Sequence, residues 1–169
     1  MILIIILILA SIGLDQWTKY LAVEHLMGEA SYPLWENVLH FTYVENRGAA
    51  FGMLADHRWV FMILSAAAIV ILLFWLWKEK PKSIWMQCAS AFIVGGGIGN
   101  MIDRIRLGYV VDFIDVRLID FYVFNIADSF VCVGCAMFLL WAIFTELKQK
   151  KKDADTEEKA PETADEAGE

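Results

Sequence analysis

Four long apolar runs alternate with polar links along this chain. A membrane-spanning helix needs roughly 20 mostly apolar residues, and four runs meet that length: residues 2–23, 59–77, 84–102 and 121–144. The first is interrupted by Asp15 and Lys19, while the second carries no charge and has Trp59 and Trp77 at its ends, where aromatic rings suit the headgroup belts. The third holds Gly95, Gly96, Gly97 and Gly99 in its second half, and such small residues let helices approach closely where lipid supplies no hydrophobic drive. Between the first two runs, residues 39–44 alternate enough to predict a short strand, and 45–52 read as a turn rich in small residues. The pattern therefore predicts an all-α integral membrane protein with four transmembrane helices. A small extracytoplasmic β-containing segment is expected between helices one and two.

Composition agrees with this pattern. The 169-residue chain is 59% hydrophobic with mean hydropathy +0.52, more apolar surface than so short a soluble domain can hide. The apolar N-terminal run passes into Asp15 and Lys19 without a basic start or a small-residue cleavage site, so it is expected to be a retained helix. The net charge is −7, of which residues 146–169, with five lysines and nine acids, contribute −4. The acidity is thus largely a property of the tail, and it does not favour nucleic-acid binding, which wants a basic face. Residues 1–145 are expected to form the membrane domain. Residues 146–169, basic and then acidic and without aromatics, are expected to be a disordered cytoplasmic tail.

Lysines in the short links set the expected orientation. Lys78, Lys80 and Lys82 follow helix two, and Lys148, Lys150, Lys151 and Lys152 follow helix four, which places both segments and both termini in the cytoplasm. The link from helix one to helix two has one basic residue, Arg47, and lies outside. Arg104, Arg106 and Arg117 on the outer side run against the rule. Arg104 is expected to be held by carboxylates, with Arg106 and Arg117 exposed or facing headgroups.

Charges inside spanning helices cost at least about 2.5–3.5 kcal/mol at the helix centre and so mark function. Here Asp15, Lys19, Asn100, Asp103, Arg104, Asp112 and Asp128 all fall toward the outer leaflet, and the inner halves of the helices are uncharged. Asp15 and Lys19, four residues apart, make a favourable helical pair that can simply be self-neutralising. Asp103 and Arg104 can likewise form a helix-end packing network. Asp112 and Asp128 differ, because both have apolar neighbours and neither has a basic residue at helical pairing distance. Two carboxylates brought together in low dielectric share a proton, which supplies a general base and a general acid for activating water. Asn125, one turn before Asp128, is placed to orient a carboxylate or a substrate backbone.

Other chemistries fit less well. His25, His40 and His57 lack the spacing of a zinc protease, and Ser129 lacks the setting of a serine nucleophile. Cys132 and Cys135 share a helix face without a second ligand pair, and with Cys88 they read as small buried hydrophobes. No cofactor or metal site is expected. Two rival functions stay open. A metal-dependent lipid-headgroup transferase would use Asp103, Asp112, Asp115 and Asp120 at the membrane face. A proton-coupled transporter would use the buried acids as a proton path, although these do not continue into the inner half.

Five blocks taken together resemble the lipoprotein signal peptidase family (prolipoprotein signal peptidase, type II). In order they are Asp15-Gln-Trp-Thr-Lys19, Asn46-Arg-Gly-Ala-Ala-Phe-Gly52, Gly95-Gly-Gly-Ile-Gly-Asn-Met-Ile-Asp-Arg104, Gly108-Tyr-Val-Val-Asp-Phe113 and Phe124-Asn-Ile-Ala-Asp128. The resemblance covers residues 2–144. Gly97 and Met101 stand where Ala and Leu are commoner, both conservative departures. The resemblance implies an aspartic endopeptidase of the bacterial cytoplasmic membrane with Asp112 and Asp128 as its catalytic acids. It implies supporting or substrate-binding positions at Asp15, Lys19, Asn46, Gly48, Asn100, Asp103, Arg104, Asn125 and Ala127. It also implies prolipoprotein substrates carrying diacylglyceryl-Cys, cut just before that Cys, and inhibition by globomycin.

Overall fold

A computed structural model describes residues 2–48 and 58–158. Ala49, Ala50, Phe51 and Gly52 of the second block, His57, and residues 159–169 of the tail lie outside the described residues. Four long helices are present: α1 (Ile2–Leu26), α2 (Arg58–Glu79), α3 (Ile84–Arg106) and α4 (Ile126–Glu158). Three of them, α1, α2 and α4, contain stretches long and apolar enough to cross a membrane. The third falls short of that composition because it carries Gln87, its glycines, Asn100, Asp103, Arg104 and Arg106. It compensates by position, since it lies at the centre and packs against the other three helices.

Small residues make that central position possible. Ala89, Ala91, Gly95, Gly96 and Gly99 of α3 are buried. A side-chain carbon at Gly96 would collide with the carbonyl oxygen of Ala127 in α4. One at Gly134 of α4 would stand 2.7 Å from the Ala89 carbonyl. At the other end of the contact, Trp85 Nε1 donates to the Met137 carbonyl at 2.7 Å, which fixes the relative register of α3 and α4. By contrast, among the described side chains of α2 only Leu76 is buried, against Ile4 and Ala91. Its Ile63, Leu64, Val70, Ile71 and Phe74 face outward, as a helix bathed in lipid should.

The expected β segment is larger than its sequence signal. Strands β1 (Tyr32–Trp35), β2 (Leu39–Asn46) and β3 (Val110–Val116) form one antiparallel sheet in the order β1-β2-β3. The third strand comes from the link between α3 and α4, so the expectation of a sheet confined to the link after α1 is corrected. Residues 110–113 are all buried, and a strand covered on both sides shows no alternation by which to read it. Helix four also differs, starting at Ile126 rather than at residue 121, because Phe124 bridges Ile114 of β3 instead of entering the helix. It continues past residue 144 to Glu158, exposed over residues 145–154, through a stretch of Glu, Lys, Gln and Ala that favours helix. The first part of the segment expected to be disordered is therefore helical.

Candidate active site

The sheet delivers Asp112. In β3 it pairs with Val44 of β2, while Asn46 pairs with Val110, so Val44, Asn46 and Asp112 share a face. An irregularity between Phe41 and Val44 inserts one extra residue on β2. Without it the parity set by Phe41 would turn Asn46 away from Asp112. Bulges beside a site commonly re-aim a side chain in this way. Beyond Asp112, the amides of Phe113 and Ile114 donate to the Phe124 carbonyl at 3.0 and 2.8 Å, and the Phe124 amide returns a bond to Ile114 at 3.0 Å. This clamp sets Asn125 against Asp112.

Asn125 then starts α4. Its Oδ1 accepts from the Asp128 amide at 2.9 Å, and Asp128 Oδ2 accepts from the Asn125 amide at 3.2 Å. This is a reciprocal capping box, worth about 1 kcal/mol as an N-cap. With its oxygen committed to the cap, Asn125 presents its Nδ2 to Asp112 Oδ1 at 2.6 Å and to Asn100 Oδ1 at 3.0 Å. Asn46 Nδ2 donates to the other oxygen of Asp112 at 2.8 Å, and Asn46 is itself steadied by the Gly48 amide at 3.0 Å. Asn100 Nδ2 donates to Asp128 Oδ1 at 2.7 Å. Each carboxylate oxygen of the two acids thus accepts from one nitrogen donor. Asp112 is 1% exposed whereas Asp128 is half-buried, so one acid is dry and the other meets the outside. Burial, and then the charge of Asp128, push the Asp112 carboxyl up to about 6 against the pull of its amide donors and Lys19.

Beneath this pair lies a charged knot. Lys19, 3% exposed, contacts Asp15 Oδ2 at 2.9 Å, Asp103 Oδ2 at 3.0 Å and Asn100 Oδ1 at 2.9 Å. A buried ammonium between two carboxylates and an amide oxygen meets the requirement that buried charge be paired. Asp15 reaches past Gly99, where a side-chain carbon would stand 2.5 Å from its Oδ2, to accept the Ala127 amide at 3.0 Å. It thereby satisfies an otherwise orphaned donor in the first turn of α4. Asp103 Oδ2 accepts the Val111 amide at 3.1 Å, next to Asp112. Arg104, whose NH1 meets the Asn100 carbonyl at 3.4 Å, stands within electrostatic reach of Asp128, Asp112 and Asp103.

The family model for signal peptidase (SPase) II matches residues 7–144. The chain belongs to the signal peptidase II family. A lipoprotein signal peptidase from Clostridioides difficile (strain 630) is 44% identical over 148 residues, covering 88% of this chain and 99% of that protein. One from Caldanaerobacter subterraneus subsp. tengcongensis is 45% identical over 140 residues, 83% of this chain and 95% of that protein. Two solved bacterial membrane enzymes have the same fold. One, at 29% identity and TM-score 0.77, covers 95% of this chain and 93% of its own. The other, at 32% and 0.74, covers 82% and 91%. With its apolar helices, this member of the signal peptidase II family is a membrane protease.

Every site position read from the sequence of this signal peptidase II family member falls in or beside one network: Asp15, Lys19, Asn46, Gly48, Asn100, Asp103, Arg104, Asp112, Asn125, Ala127 and Asp128. Asp115 and Asp120, which the transferase rival would use, stand apart. Asp115 is held by Thr42 at 2.8 Å and by Arg117 at 2.9 Å, and Asp120 closes a short 3-10 turn in left-handed conformation. Arg117 is therefore paired rather than a free topological charge. Cys132 and Cys135 are exposed on α4 and Cys88 is half-buried, which corrects their reading as buried hydrophobes. Sequence reasoning missed Gln16, whose amide touches Asp15, Gly99 and Asp103. A neutral residue beside a charged one gives no warning, and only its place within the first block marked it.

Proposed function

We propose that this chain is an intramembrane aspartic endopeptidase that removes signal peptides from prolipoproteins carrying diacylglyceryl-Cys, cutting just before that Cys. The observation that carries the reading is Asn125, which is hydrogen-bonded at once to Asp112 and to Asp128. Two acids tied to one asparagine, Asp112 through its side-chain nitrogen and Asp128 through the reciprocal cap, act on one reacting centre. One carboxylate takes a proton from water as the oxygen attacks the scissile carbonyl. The other, protonated, donates to the carbonyl oxygen, giving a neutral gem-diol. The protons then return as the C–N bond breaks and the amine leaves protonated. The amide donors hold both acids in place, and the Lys19 knot ties α1 and α3 to the start of α4, which carries Asp128, and through Asp103 to the strand that carries Asp112. A lipidated Cys keeps its acyl chains in the bilayer, so acids at the membrane face suit such a substrate.

The same reading assigns the bacterial cytoplasmic membrane, four spans, cytoplasmic termini and an outward-facing site. Residues 1–145 are the protease domain, and the tail beyond Lys152 is dispensable for cleavage. Relatives named lipoprotein signal peptidase support the substrate class, and globomycin is expected to inhibit.

The test is cleavage of a diacylglyceryl-modified prolipoprotein by purified protein. Asp112→Asn and Asp128→Asn should each abolish turnover in folded protein. The double variant should be hardly worse, because groups acting as a unit lose non-additively. Chelator should leave activity unchanged. Losses that multiply, or activity lost to chelation and restored by a divalent cation, would overturn the dyad.

A further inference from the structure

We propose that Gln16 is a positioning residue for the cleavage reaction, holding Asp103 so that Asp103 in turn fixes the backbone leading into Asp112. The proposal deepens the aspartic-protease reading and rests on it. Gln16 Nε2 lies 2.9 Å from Asp103 Oδ1, 3.2 Å from the Gly99 carbonyl and 3.2 Å from Asp15 Oδ2. The other oxygen of Asp103 is engaged by Lys19 at 3.0 Å and by the Val111 amide at 3.1 Å. The two oxygens thus divide the work. One is held by Gln16 alone among the described side chains, and the other joins Lys19 of α1 to the residue before Asp112.

Asp103 is almost wholly buried, so it has no water to replace a missing donor. Without Gln16, its Oδ1 would be left without the one side-chain donor it has among the described residues. The carboxylate would then turn to bring its second oxygen toward Lys19 as well, drawing further on the ammonium that also holds Asp15 and Asn100. Asn100 is the donor to Asp128. A single neutral amide therefore controls both the approach to Asp112 and the orientation of the amide on Asp128. Neutrality matters as much as the hydrogen bond, because the knot already contains two carboxylates around one ammonium. A third negative group at residue 16 would unbalance it. Gln16 reaches Asp103 at a site set back from the two acids, so it affects the rate of chemistry more than substrate affinity.

The experiment measures kcat and KM per folded molecule on a diacylglyceryl-modified prolipoprotein, from about pH 5.5 to about pH 8. It compares the parent, Gln16→Met, Gln16→Glu and, as a control, Asp112→Asn. Gln16→Met keeps the length and removes the donor. Its kcat is expected to fall about tenfold to a hundredfold, the worth of one hydrogen bond to a charged group, with KM within about twofold. Gln16→Glu can donate only when the introduced carboxyl is protonated. Its activity relative to the parent is expected to be lowest at about pH 8 and to recover several-fold toward pH 5.5. A merely structural role would not produce that pH-dependent recovery. Unchanged kcat in Gln16→Met, a loss accounted for by its folded fraction, or a pH-independent ratio for Gln16→Glu would overturn the positioning role. Full activity in Asp112→Asn would overturn the protease reading beneath it, and the control reports that failure separately.

Discussion

Asn125 Nδ2 lies 2.6 Å from Asp112 Oδ1 while Asn125 Oδ1 receives the Asp128 amide at 2.9 Å, so its amide cannot flip without breaking both bonds. Cap and acid are therefore one device. Asn125→Ala should cost about 1 kcal/mol of stability through the lost cap and lower kcat by at least about tenfold. Asn125→Asp keeps a capping oxygen but turns a donor to Asp112 into a repelling carboxylate. It should lose more activity per folded molecule than its shift in melting temperature accounts for. Paired thermal melts in detergent and single-turnover rates check this. Activity tracking stability across the two variants would deny Asn125 any part beyond the cap.

Burial of Asp112 gives a pH signature. Its carboxyl is raised from 3.8 to about 6 in the folded protein by burial and the Asp128 charge. Between those values the folded state keeps a proton that the unfolded chain has released. Stability is therefore highest below the unfolded value and is lost as pH rises through about 6. By linkage the loss is about 3 kcal/mol, an upper bound for one coupled group. Asp112→Asn removes this titration. Its melting temperature should change less than the parent's between about pH 4.5 and about pH 7.5. Parallel curves for the two proteins would show that Asp112 is not raised.

Most of the apolar scaffold was legible because lipid demands long apolar runs, and the stretches 59–77 of α2 and 129–145 of α4 show them without a charge. The charged residues were legible for the complementary reason, since Asp15 and Lys19 are costly in a membrane unless they serve something. What stayed hidden depends on pairing at a distance. Asp112 stood in a link with no visible alternation, so neither β3 nor its register against Val44 could be read. The bulge that turns Asn46 toward Asp112 leaves no mark in residues 41–44. Phe124 looked like the start of a helix because its apolar neighbours continue the run, yet its backbone belongs to the sheet.

Close approach makes Gly99 a sensitive position. A methyl group there would stand 2.5 Å from Asp15 Oδ2 and 3.1 Å from its Cγ. Gly99→Ala should destabilise by about 1–3 kcal/mol, the usual cost of overpacking, and should free the Ala127 amide that Asp15 accepts. Gly13, two residues before Asp15 on the same helix, has nothing among the described residues within 4 Å of the equivalent position. Gly13→Ala should be neutral or up to about 1 kcal/mol stabilising, as Ala replaces Gly within a helix. Detergent melts of the two variants test the contrast. Equal effects would mean that the α1–α3 approach is looser than this.

The last prediction concerns which side of the membrane the acids face. The sheet lies at the same end of the bundle as Asp15, Asn100 and Asp128, since Asn46 of β2 and Asp112 of β3 are bonded into their network. At the opposite end, Trp85 near the start of α3 meets Met137 well along α4. Lys78, Lys80 and Lys82 link α2 to α3 there, and Lys148, Lys150, Lys151 and Lys152 follow along α4. By the positive-inside rule these seven lysines predict that this end is the inner one. Of the arginines at the other end, Arg47 and Arg117 are paired with Glu45 and Asp115 and Arg104 stands among three acids, which leaves exposed Arg106 against seven lysines. Reporter fusions at Lys82 and after Lys152 should therefore score cytoplasmic, and an insertion at Asn37 in the β1–β2 turn should score outside. Replacing Lys78, Lys80 and Lys82 together with glutamine should weaken that preference, whereas replacing Arg117 should not. A reversed pattern would put the acids on the cytoplasmic face, where a protease for exported prolipoproteins has no substrate bond to cut.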